Sequence, residues 1–265
     1  MRKATDQCLL CQSEQSTKTN SHILPRFIST GFMKQPGKGN RGYQIGGDKH
    51  EVIQDSPKED YILCESCEAY FSVVEGYAAD TFKNWQDKIQ KGEYLKEIIV
   101  DDLNVVSCQS SNPNAVRLLI YSMFWRAGIS SHELFDGYSP RSELMESLRQ
   151  ILLLFKSSNR KEFDDAIKKH PLQIYPIGIT TVEEMTDGSA AVLAAINDGN
   201  PCSLNVDKFG FLLFENAYDV PLIIKDFTNI NAVDCHFMVL SETLWHSLMV
   251  SRPLQLVAKQ EKINN

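Results

Sequence analysis

Two Cys-x-x-Cys pairs, Cys8/Cys11 and Cys64/Cys67, are the residues whose type and spacing most directly suggest chemistry. Two intervening residues let both sulfurs of a pair turn towards one ion, and zinc prefers four such ligands in a tetrahedron. Fifty-two residues separate the pairs, more than in a compact zinc finger. A shared ion would close that loop and supply folding energy that so short a segment cannot find in its own core. Cys67 falls where a helix is expected to begin, and a helix N-terminus stabilises thiolate charge. An iron–sulfur cluster accepts the same four thiolates, and one pair alone would suit redox chemistry. Two pairs favour a shared structural Zn2+. Cys108, Cys202 and Cys235 stand alone in the sequence and read as buried small hydrophobes.

Between the pairs lies Ser21-His22-Ile23-Leu24-Pro25. His22 has two readings: a structural residue or spare zinc ligand, or a general base beside the metal module. Imidazole suits the activation of water near neutral pH, provided a second group stabilises charge developing on the substrate. Other polar clusters carry less. His50 sits beside lysine and aspartate and reads as exposed. Ser131-His132-Glu133 has no recognisable nucleophile arrangement, and Asp101-Asp102 lacks a companion at ligand spacing. The loop Gly37 to Gly42 lacks the Gly-Lys-Ser/Thr ending of a phosphate-binding loop.

These residues need elements to position them. Phe71, Val74, Ala78, Phe82, Trp85 and Ile89 recur at helical spacing, predicting one helix that runs from the second cysteine pair to a stop at Gly92. Tyr61-Ile62-Leu63 reads as a strand leading into Cys64. Asn112-Pro113 offers a cap and a first-turn proline, followed by the stripe Val116, Leu119, Ile120, Met123 and Phe124. Further helices are expected from near Ser139-Pro140, with Leu144 and Leu148 inward, and over Lys161 to Lys169. Strands are expected over Leu172 to Val182, Leu222 to Ile224 and Phe237 to Leu240. Ser203 to Val206 and Gly210 to Phe214 read as a β-hairpin. Ser189 to Ile196 and Glu242 to Val250 read as helical.

The chain has 265 residues, 43% hydrophobic and 23% charged, a balance that permits a real core. No stretch approaches the eighteen or so apolar residues of a membrane span. The opening residues lack an apolar run of signal-peptide length, so a cytoplasmic protein without membrane contact is expected. In that reducing setting the cysteines point to metal rather than disulfides. The net charge of -7 sets no general preference for phosphate, although Arg26, Lys34, Lys38, Arg41 and Lys49 face only Asp48 in their stretch. A solvated loop accounts for that cluster most simply.

With Cys8/Cys11, Ser21-His22-Ile23-Leu24-Pro25 and Cys64-Glu65-Ser66-Cys67-Glu68 in this order, residues 5 to 80 resemble the HNH endonuclease superfamily, whose core is a treble-clef ββα-metal fold. The chain also looks like a set of uncharacterised bacterial HNH-like proteins that share Ser-His-Ile-x-Pro and Cys-x-x-Cys-Glu. Ser122-Met123-Phe124-Trp125-Arg126-Ala127 resembles a second landmark of that set. The resemblance implies that His22 is the general base and that the four cysteines hold structural zinc. Ser21 replaces the aspartate or histidine that members place on the catalytic metal, and Glu68 stands where asparagine or histidine is common. Asn40 falls where the central asparagine of the family is sought. Glu68 and Glu75, seven apart, share a helical face and would suit Mg2+ or Mn2+. Both also read as ordinary solvated helix acids, with Glu68 favouring the helix N-terminus.

The expectation is therefore an α+β protein with two parts. Residues 1–92 form a treble-clef zinc module, and residues 93–265 form a helical region followed by a mixed α/β portion. By resemblance it is a metal-dependent endonuclease acting on DNA or RNA, with His22 and Glu68 catalytic, and by analogy it serves anti-phage defence. The alternative is a zinc-binding adaptor with a decayed site, which recognises a nucleic acid or a protein partner such as a member of a defence complex.

Overall fold

The computed structural model describes residues 2–33, 42–46, 49–53, 55–100, 102–136, 138, 140–186, 192–196, 201–231, 233, 235–255 and 258. Residues 37 to 41 of the glycine loop, Asn40 among them, and Asp101 lie outside these, as does the His50 side chain. In chain order the elements are β1 (Ser21–His22), α1 (Arg26–Met33), β2 (Gly42–Gly46), β3 (Lys49–Ile53) and β4 (Lys58–Glu59). Next come α2 (Glu65–Phe82), α3 (Trp85–Gln90), β5 (Leu95–Val100), β6 (Leu103–Ser107) and α4 (Pro113–Ile129). Helices α5 (Ser142–Leu154) and α6 (Arg160–Lys169) precede β7 (Ile177–Val182), β8 (Val192–Ile196), β9 (Cys202–Val206) and β10 (Phe209–Leu213). The chain then forms β11 (His236–Leu240) and α7 (Glu242–His246), and a π-helical turn over Ser247–Ser251 follows. Helix and sheet are thus mixed, and among the described residues no helix is long and apolar enough to cross a membrane.

A nine-stranded sheet runs β3-β2-β8-β9-β10-β7-β11-β6-β5, and β1 pairs with β4 separately. Pairing is parallel at β11/β7 and β2/β8 and antiparallel elsewhere in the large sheet. The β2–β3 hairpin, drawn from between the cysteine pairs, therefore completes one end of the sheet. β7 is buried at all six residues, because helices cover one face while Trp245 and Met249 pack with Val182 and Leu240 on the other. On this second face Gly210 is required. A Cβ there would come within 2.4 Å of Thr180 Oγ1 and 2.7 Å of Met249 Sδ.

Helix α4 starts as predicted, with the Asn112 side chain accepting from the Asn114 and Ala115 amides and Pro113 in the first turn. Its burial exceeds the predicted stripe. All thirteen residues from Ala115 to Ala127 are buried, which makes it the central helix of the core. The first predicted helix is two. It stops at Phe82 because Lys83 is extended and Asn84 adopts the left-handed region at φ 52°, where asparagine is tolerated. Gly92, at φ 73°, then ends α3. The break turns Phe82 and Trp85 onto the sheet. Phe82 meets the rings of Phe209, Phe211 and Phe237 at 5.4, 5.9 and 5.4 Å. Phe82→Ala is expected to cost about 3–5 kcal/mol, measured as a lowered midpoint in urea unfolding.

Other expectations change too. Residues 192–196 form a buried strand rather than a helix, and Leu222–Phe227 forms a 3-10 helix rather than a strand. The strand expected from Leu172 begins only at Ile177. Tyr61-Ile62-Leu63 is a bend with Tyr61 at φ 60°, and the strand preceding Cys64 is the two-residue β4. The predicted hairpin is present as β9–β10, turning at Asp207-Lys208.

Candidate metal centre and the polar cluster beside it

The first cysteine pair sits on a small hairpin closed by a bridge between Gln7 and Gln15. The Cys8 amide donates to Glu14 O at 2.8 Å, and the Gln12 amide donates to Cys8 O at 2.9 Å with Gln12 left-handed. The second pair opens α2: Cys64 is the extended N-cap residue, and its carbonyl accepts from the Glu68 amide at 3.1 Å. Main-chain bonds bring the two together, from Leu9 N to Ile62 O at 3.0 Å and from Lys18 N to Leu63 O at 3.1 Å. All four sulfurs then lie within 4.8 Å of one another, with Cys11 and Cys64 at 3.8 Å. A tetrahedron with Zn–S bonds near 2.3 Å has edges of about 3.8 Å. The cluster thus has the size and donor set of a structural metal site.

Electrostatics points the same way. A hydrogen bond from Cys67 lowers the Cys8 thiol to about 4, while that bond and burial push Cys67 up. Four thiols in contact, three of them buried, cannot all ionise unless a cation joins them. The site is also closed from outside by α5 and the residues after it. Arg149 Nη1 donates to Leu10 O at 2.8 Å, and Lys156 Nζ donates to Ser66 Oγ at 2.8 Å.

His22 lies on β1, opposite Lys58 of β4, with Ser21 opposite Glu59. The β1–β4 pair is anchored to the end of α4, where Ser130 Oγ and Ser131 Oγ donate to the Glu59 carboxylate at 2.7 and 2.6 Å. This accounts for Ser131 in structural terms, and His132 Nδ1 likewise accepts from the Leu134 amide at 3.2 Å. His22 is half-buried. Burial is the main reason its pKa falls below 6.5, and Lys58 adds to it against the pull of Glu75 and Asp55. The imidazole is therefore neutral at pH 7.

Glu68, at the start of α2, lies against Ser21 and feels the charges of Arg126 and Glu75, as His22 does. Burial raises its carboxyl pKa, opposed by Arg126 and by the nearby Ser21 hydroxyl. Glu68 Oε2 and Ser21 Oγ are both buried, and neither makes a hydrogen bond of ordinary geometry. Buried oxygens are normally fully satisfied, and these two have only each other.

Glu75 is not the solvated acid expected. Its side chain is 21% exposed and pairs with Arg126 Nη2 at 2.9 Å. Arg126, itself 1% exposed, also donates from Nη1 to the His22 carbonyl at 2.7 Å and stacks its guanidinium 4.9 Å from the centre of the Phe71 ring. One side chain of α4 thus clamps β1 to α2. The clamp was missed because its partners lie far apart in sequence; the only signal was the landmark from Ser122 to Ala127. Arg126→Met is expected to cost about 3–5 kcal/mol, because Glu75 keeps its charge and loses its partner. Urea unfolding checks this, and Arg126→Lys should lose less while failing to reproduce the fork.

Comparison with protein-family models, with curated proteins and with solved structures returned no match.

Proposed function

We propose that the chain is a zinc-organised, HNH-like endonuclease that hydrolyses phosphodiester bonds of DNA or RNA. In this reading the four cysteines hold structural zinc in a treble-clef arrangement. The observation that carries it is the pair of buried oxygens, Glu68 Oε2 and Ser21 Oγ, which have no partner beyond each other among the described residues, with the half-buried His22 next to Ser21 in β1. Neutral His22 accepts the proton of the attacking water. Lys58 and Lys18, whose charges reach His22 and Glu68 respectively, favour an anionic substrate. Glu68 and Ser21 are the residues that would hold Mg2+ or Mn2+, hard ions suited to oxygen donors. Such an ion supplies charge stabilisation at the leaving oxygen when bound.

The test is metal content followed, on the same sample, by cleavage of plasmid DNA and of RNA with magnesium or manganese. Zinc at one ion per chain with cutting that depends on the added ion supports the reading. Zinc without cutting under any divalent ion refutes it and favours the second reading, a zinc-stabilised recognition protein. One observation leans that way already: Arg126 has engaged Glu75, the second carboxylate of the helical face.

A further inference from the structure

We infer that Cys108 and Cys235, apart from the proposed site, form a dithiol that a peroxide converts to a disulfide across the large sheet. Cys108 directly follows β6 and Cys235 directly precedes β11, and the antiparallel register ends at Ser107 opposite His236. The two cysteines therefore occupy the next rung. The Cys108 amide donates to the Cys235 carbonyl at 2.8 Å, which keeps the ladder in register there. Opposed residues in a hydrogen-bonded antiparallel rung have Cα atoms about 5.5 Å apart. That separation lies within the range of about 4.4–6.8 Å that a disulfide spans. Isolated in sequence, these thiols are neighbours in space.

Their surroundings distinguish them from inert core cysteines. Both are buried, but Gln109, Ser110, Asn231 and Val233 beside them are exposed, so the rung lies at the rim of the sheet. A polar chain reaches it. Tyr94 Oη lies 2.8 Å from Ser111 Oγ, and Lys88 Nζ lies 3.4 Å from Tyr94 Oη. Burial, followed by the Cys235 thiol, raises the Cys108 pKa, while the Lys88 charge opposes this. Cys108 therefore forms thiolate less readily than a free thiol, and the pair serves as a reserve rather than a fast catalyst.

The chemistry balances with hydrogen peroxide as oxidant. One thiolate sulfur bonds to a peroxide oxygen as the O–O bond breaks, giving a sulfenic acid and, with a proton, water. The second sulfur then attacks the first: the S–S bond forms, the S–O bond breaks, and a second water leaves. Two thiols are oxidised and one peroxide is reduced. The bond ties β6 to the segment before β11, where Arg117 donates to the carbonyls of Asn229 (3.1 Å) and Asn231.

The experiment treats the full-length, zinc-loaded protein with hydrogen peroxide, blocks remaining thiols in denaturant, and maps peptides without reduction. The expected result is a linked peptide joining Cys108 to Cys235, lighter by two hydrogens and reversed by dithiothreitol. A rise in thermal midpoint should accompany it and be absent in Cys108→Ser. Should that variant fail to fold, Cys235→Ser replaces it, and the wild-type map stands alone in any case. Alkylated or over-oxidised Cys108 with no such peptide would overturn the inference. So would linkage confined to Cys8, Cys11, Cys64 and Cys67. Neither outcome bears on nuclease activity.

Discussion

Cys64→Ser is expected to release the metal and unfold the N-terminal region, the largest loss of stability of any single substitution here. Structural zinc binding is worth about 10–16 kcal/mol in small zinc-folded peptides, and most of that is folding energy. Here Cys8, Cys64 and Cys67 belong to the same buried cluster as Phe71, Trp125 and Phe237. Loss of the ion leaves three thiols crowded in that cluster and removes the link between the Gln7–Gln15 hairpin and α2. Elemental analysis should show the zinc gone, and hydrogen exchange should show fast amides over β1, β4 and the first turns of α2. A variant that kept both its metal and its protected amides would contradict the assignment of these cysteines.

His22→Ala should reduce cleavage by about 10²–10⁴-fold, the range for a positioned general base, with zinc content unchanged. The fold should survive because Arg126 holds the His22 main-chain carbonyl, which alanine retains. A pH profile adds a second constraint. Only the neutral imidazole accepts a proton, and its pKa lies below 6.5. Wild-type cleavage should therefore decline on the acid side with a midpoint below 6.5. A decline centred well above 6.5, or cutting that persists in the alanine variant, would assign the base elsewhere. Loss of zinc in the variant would make His22 structural.

The sequence made some of this legible and hid the rest for physical reasons. Metal-ligand spacing is a local signal, and the four cysteines gather as that spacing implies. The cap of α4 and the β9–β10 hairpin are also local, and both follow from side-chain chemistry within a few residues. Residues 192–196 misled because a short run of alanine and aliphatic residues suits a helix or a buried strand equally, while residues 189–191 of that expected helix lie outside the described residues. Its neighbours in the sheet, β2 and β9, decide the matter. The break at Asn84 was hidden by apolar spacing that continues through it. Glu75 read as solvated because its partner, Arg126, is fifty-one positions away. His22 and Glu68 are nominated through a resemblance; that the charges of Arg126 and Glu75 reach both emerges only from the packing of β1, α2 and α4.

The parallel pairing of β2 with β8 sets an order of events during synthesis. Tyr43 lies opposite Val192, so the partners are separated by more than half the chain. While a ribosome is still making α4, both cysteine pairs have been synthesised, yet the β2–β3 hairpin has no strand to join. Metal loading can therefore precede closure of the sheet, leaving the β2 edge open until late in translation. Such non-local pairing slows folding. Production of the protein should accordingly depend on zinc supply early and on chaperone protection of that waiting hairpin afterwards.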